Sequence, residues 1–136
     1  MQKVKSNKKT NSKISKNQTL VLKLLEKKKK PLTAYTILDK LRNNGFRAPL
    51  QVYRALDSLI KTGKVHRIES MNAFVACNNN CEKLAFTAFA ICDKCEDVSE
   101  IKDDSLSSSL SILKQKSGLK TTRSNIELHG LCKKCK

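Results

Sequence analysis

With 136 residues, 39% of them hydrophobic, the chain has enough apolar material for one ordinary core or two small ones, not for a large multidomain enzyme. Its 28 Lys and Arg against 12 Asp and Glu give a formal net charge of +16, which points to a polyanionic partner. The 4% aromatic content without Trp argues against a platform for stacking single strands, and no apolar run approaches the ~20 residues that span a membrane.

Residues 1–30 hold 11 Lys against one Glu. The first 17 lack apolar periodicity and read as a disordered basic tail. Asn17 or Thr19 is then expected to cap a helix carrying Leu20, Leu22, Leu24 and Leu25, which ends in the Lys27–Lys30 run before Pro31. The short run Thr19–Leu25, broken by Lys23, is no signal-peptide core, so a cytosolic protein is expected. Thr33 begins a second helix with Ala34, Ile37, Leu38 and Leu41 at i, i+3, i+4, i+7, and Gly45 closes it. Pro49 opens a third, with Val52, Leu56, Leu59 and Ile60 as its apolar face and Gly63 as its stop. Two β-rich runs, KVHRIE and NAFVAC, follow across Ser70 and Met71. Helix, short turn, helix and hairpin spell a winged helix-turn-helix over residues 18–76, with the second helix of the pair placed to enter a DNA major groove.

From Cys77 the pattern changes. The net charge of residues 68–136 is only +1, and all six Cys lie at or after position 77. A strand FTAFAIC, a short strand in CEDVSEI, a helix from Asp103–Asp104 to Gly118 and a strand over Lys120–Leu128 describe a small α/β module over 77–136. At about 60 residues it needs a metal, a partner subunit or both. The fold class is therefore α+β.

Three groups of residues carry chemistry. Cys92-x2-Cys95 and Cys132-x2-Cys135 are two knuckles after strands, the pattern of a tetrahedral four-thiolate zinc site in a reducing compartment. Lys133, Lys134 and Lys136 are expected to lower the thiol pKa values. A redox dithiol is the alternative, but neither pair opens a βαβ helix. A looser group is His66, Cys77, Cys81 and Glu100, with His129 in reserve; the bland reading makes His66 a wing surface residue, Cys77 a small buried hydrophobe and Glu100 a solvated strand charge. The third group is basic: Tyr35, Gln51, Tyr53 and Arg54 on the helix pair could face bases, with Lys64, Arg67 and the tail on phosphates. A nucleobase deaminase would need His-x-Glu and Pro-Cys-x-x-Cys, and neither occurs.

The strings TAYTILDKLR, VYRALDSLIKTGKVHRIES, ICDKC followed by VSE, and IELHGLCKKC resemble the ferric uptake regulator family from about residue 18 to the end, most nearly its zinc-uptake branch. The resemblance implies a metal-dependent dimeric repressor of double-stranded DNA operators, with Zn²⁺ as co-repressor, two ions per subunit and a C-terminal dimerisation domain. It assigns Cys92, Cys95, Cys132 and Cys135 to structural zinc, and His66, Cys77 and Glu100 to regulatory zinc. Tyr35 and Arg54 match DNA-contacting positions. Two departures stand out: Ala85 falls near the expected fourth ligand, for which Cys81 is the substitute, and Glu96 replaces a Gly after the second knuckle Cys. With only two His in the chain, zinc sensing is favoured over iron. The alternatives are a DNA-binding regulator with structural zinc alone, or one sensing another metal such as iron.

Overall fold

The first helix, α1 (Lys16–Lys27), starts earlier than its sequence suggests. The Ser15 hydroxyl accepts the Gln18 N–H at 3.1 Å and so caps it. Thr19, one of the two expected caps, instead turns its Oγ1 back onto the Ser15 carbonyl at 3.0 Å, as a hydroxyl inside a helix does. The helix therefore takes in Lys16 and Asn17, which the sequence assigns to the tail, while residues 1–13 lie outside the described residues. The computed structural model describes residues 14–28, 30–77, 87–121 and 124–136 of a chain that divides into two units, Met1–Glu82 and Lys83–Lys136.

In the first unit, Thr33 Oγ1 accepts the Thr36 N–H and starts α2 (Ala34–Leu41), which buries Ala34, Ile37, Leu38 and Leu41 as the periodicity requires. A 3-10 turn over Arg42–Asn44 follows, and Gly45 at φ 99° leaves it through the left-handed region that only glycine adopts cheaply. The next helix, α3 (Pro49–Lys61), buries Val52, Ala55, Leu56 and Leu59. Ile60, given to this face by its spacing, is 36% exposed, and Ala55 takes its place. Strands β1 (Val65–Ile68) and β2 (Ala73–Ala76) pair antiparallel from Val65↔Ala76 to Ile68↔Ala73. Leu32 and Phe74 exchange both backbone hydrogen bonds, at 3.0 and 2.8 Å, and add a third edge to the wing. Val21 and Leu25 of α1 join Ile37, Phe46, Leu56 and Leu59 in one core, so the three helices and the wing form a winged helix.

The second unit is a three-stranded sheet in the order β4-β3-β5. Strand β3 (Thr87–Cys92) pairs antiparallel with β4 (Val98–Glu100) and parallel with β5 (Asn125–Gly130). The last strand thus lies later than the expected 120–128. Its register against β3 runs from Thr87↔Asn125 to Cys92↔Gly130, which carries His129 and Gly130 into the strand and delivers Cys132 beside Cys92. Between β4 and β5 lies α4 (Asp104–Ser117), capped by Asp103 and stopped by Gly118 at φ 71°. It buries no residue, and Ile112 and Leu113 are 53% and 59% exposed. No helix of the described residues is long and apolar enough to cross a membrane.

Candidate metal centre and nucleic-acid interface

Two knuckles converge in the second unit. Cys92 ends β3, Cys95 sits in the turn behind it, and Cys132 and Cys135 follow β5. The Asp93 N–H donates to the Gly130 carbonyl at 2.8 Å and ties one knuckle to the other strand. The four sulfurs lie within 4.8 Å of one another, with Cys95 Sγ 3.8 Å from Cys132 Sγ. A regular tetrahedron with Zn–S bonds of about 2.3 Å has S···S edges of about 3.8 Å, so the donor set and its spacing fit Zn²⁺. The same four cysteines carry no disulfide.

The backbone prepares this site. Cys92 Sγ accepts the N–H groups of Cys95 at 3.5 Å and Cys132 at 3.4 Å. Those two donors, with Lys94 N–H behind them, bring its thiol down to about 6 despite burial. The lowering comes chiefly from peptide dipoles rather than from the lysine charges expected to do this, and composition does not reveal those dipoles. Cys135 is pushed up to about 12, first by its hydrogen bond with Cys132 and then by desolvation and the other sulfurs. At Cys95 the Asp97 N–H lowers the pKa, but desolvation and the sulfurs of Cys92 and Cys132 outweigh it and the net shift is upward. Four sulfurs this close resist becoming four thiolates unless a cation is shared among them.

Glu96 reaches the turn at φ 65°, in the left-handed region, where its N–H donates to the Cys92 carbonyl at 2.9 Å. A non-glycine residue there carries about 1–2 kcal/mol of strain. Glu96→Gly is therefore expected to raise stability by up to about 1 kcal/mol, the relief being partly offset by unfolded-state entropy. Thermal melts of the two zinc-loaded proteins check it, and a lower midpoint for the glycine variant refutes it.

The looser group divides between the units. His66 lies on β1 opposite Val75 and is 8% exposed, and the Cys77 N–H just after β2 donates to the Lys64 carbonyl at 2.9 Å. These two residues of the first unit offer ligand atoms within 4.8 Å of each other. Cys81 and Ala85 fall outside the described residues. Glu100 stands on β4 of the second unit, opposite Phe89. His129 has both ring nitrogens at 3.2 Å from carboxylates, Nδ1 from Asp93 and Nε2 from Glu127, and these contacts, Asp93 foremost, raise its pKa.

On the winged helix, Tyr35 is 63% exposed at the start of α2. The exposed stripe of α3 is Leu50, Arg54, Asp57 and Lys61, spaced as one helix face. Arg54 has no ion-pair partner among the described residues. Gln51 and Tyr53 are placed differently from Arg54. Gln51 Oε1 accepts the N–H groups of Arg47 at 2.6 Å and Ala48 at 3.0 Å, holding the start of the helix. Tyr53 packs partly buried against the core. In the wing, Arg67 Nη2 donates to Asn72 Oδ1 at 2.8 Å, and Nε lies 3.8 Å from Glu69.

Residues 9–129 match the model of the ferric uptake regulator family. The chain is 37% identical over 116 residues to the zinc uptake regulation protein of Escherichia coli (strain K12), a match covering 85% of this chain and 68% of that one. It is similar in structure to a zinc uptake regulator complexed with zinc and DNA, with TM-score 0.85, 33% identity and coverage of 98% of this chain and 89% of that one. The holo form of XcZur is also similar, with TM-score 0.81, 38% identity and coverage of 90% and 85%.

Proposed function

The chain belongs to the ferric uptake regulator family, and from that premise we propose that it is a zinc-responsive transcriptional repressor of zinc-uptake genes, with Zn²⁺ as co-repressor. The observation that carries this reading is the four-thiolate cage, whose donor set and 3.8 Å S···S spacing suit zinc, in a chain that also carries an exposed recognition helix. A protein of this kind acts by binding rather than by catalysis, in the cytoplasm. Double-stranded DNA is its partner, with Arg54 and Tyr35 facing the groove and the lysine-rich N-terminus supplying phosphate contacts. It works as a homodimer, and the exposed apolar residues of α4, Ile112 and Leu113 among them, suit burial against a second copy.

Each subunit holds two zinc ions on this reading. The first is in the cage; the second is held by His66, Cys77 and Glu100, with Cys81 as fourth ligand. The segment before Lys16, the winged helix that follows it and the second unit then act as tail, DNA-binding domain and dimerisation domain. The alanine at position 85 also favours a second reading, a DNA-binding regulator with structural zinc alone. Zinc titration of the full-length protein in a phosphine reductant, followed by metal analysis and by DNA binding, separates the two. Two zinc ions per subunit and DNA binding that follows the second ion are expected. One ion per subunit with zinc-independent binding selects the second reading.

A further inference from the structure

A single leucine exposed on a protein surface ordinarily means nothing, because much of any folded surface is apolar. Leu50 stands in a more telling place. It is 57% exposed in the first turn of α3, four residues before Arg54 and on the same outward stripe, while the apolar side of the helix is filled by Val52, Ala55, Leu56 and Leu59. The N-terminal turn of a recognition helix is the part that meets base edges. Of the residues there, Gln51 has its acceptor oxygen occupied by the N–H groups of Arg47 and Ala48, and Val52 is fully buried. The most exposed side chain on this turn ahead of Arg54 is therefore the aliphatic Leu50, with Gln51 and Tyr53 each half-buried.

An aliphatic group in the major groove has one good partner, the 5-methyl of thymine. Against any other edge it covers donors or acceptors that it cannot satisfy. We propose that Leu50 is a specificity-determining residue that selects thymine at one position of each half-site by packing on its methyl group. The proposal rests on the DNA-binding reading above. It deepens that reading by naming an apolar contact beside the polar one expected from Arg54.

The test uses the duplex that the zinc-loaded full-length protein selects from a random pool, with each thymine replaced in turn by deoxyuracil. That change removes the methyl and keeps every hydrogen-bonding group of the base. At one thymine per half-site, the parent protein is expected to lose about fourfold in affinity, the worth of one buried methyl-sized group. Leu50→Met should keep that sensitivity. Leu50→Ala should bind the thymine and uracil duplexes alike, about as weakly as the parent binds the uracil one. Unchanged melting of both variants shows that the loss is local. If no thymine is sensitive, or if Leu50→Ala retains the full pattern, the assignment of Leu50 is overturned while the repressor reading stands. If no duplex is selected in a zinc-dependent way, the repressor reading and this contact fall together.

Discussion

Cys95→Ser is expected to unfold the second unit rather than merely to lower its zinc affinity. Among its described residues the unit buries little: Ala88, Phe89, Ile91 and Cys92 are the buried apolar ones, and α4 adds none. A three-stranded sheet with so small a core is marginal by itself. In small metal-held folds the binding free energy, about 10–16 kcal/mol near neutral pH, is also folding free energy. The cage joins the ends of β3 and β5, so losing one thiolate unclamps the strand pair that defines the sheet. Chelation of zinc from the parent protein should do the same. Acid should too: protons compete for the sulfurs, so the metal-dependent stability is present at neutral pH and lost as pH falls, with Cys92, whose thiol sits at about 6 without metal, the last to be protonated. Circular dichroism, size-exclusion chromatography and zinc analysis of Cys95→Ser check this. A folded dimer with the parent's zinc content shows that the four cysteines do not hold a structural ion.

Much of this architecture is legible in the sequence, for identifiable reasons. The apolar spacing of Ala34, Ile37, Leu38 and Leu41, bounded by Thr33 and Gly45, allows one helix and one buried face. Both knuckles of the cage are legible because a C-x2-C pair is local, and local geometry survives whatever the rest of the chain does. What needs the structure is non-local. The end of β5 is set by its pairing with β3, so no local signal in LHGLC marks Gly130 as strand. The start of α1 depends on which of three hydroxyl or amide side chains, Ser15, Asn17 or Thr19, turns toward a free N–H. Gln51 looks like a base reader from its place on the helix, yet its oxygen is taken by two backbone donors. The acidity of Cys92 comes from peptide N–H groups of residues 3 and 40 positions away, where composition offered only nearby lysines.

Removing one ligand of the second zinc site should leave a folded dimer that no longer answers to zinc. The site drawn from His66, Cys77, Cys81 and Glu100 would link the wing to the dimerisation module, and an ion held by both would favour the posture in which two recognition helices meet two half-sites. For zinc to act as co-repressor it must bind that posture more tightly than the others; an ion with equal affinity for all would change nothing. A typical coupling of ~1–3 kcal/mol corresponds to roughly 5–150-fold in DNA affinity, and by reciprocity operator DNA should tighten zinc binding by the same factor. His66→Ala and Glu100→Ala are each expected to abolish that gain while the caged zinc and the dimer persist. In reductant, Cys81→Ser should lower zinc affinity and the DNA response together. Operator binding measured across a zinc titration, beside metal content per subunit, reads all of these. If Cys81→Ser responds like the parent while His66→Ala does not, the fourth ligand is water, His129 or another group. If zinc-dependent binding survives all three substitutions, sensing does not occur at this site.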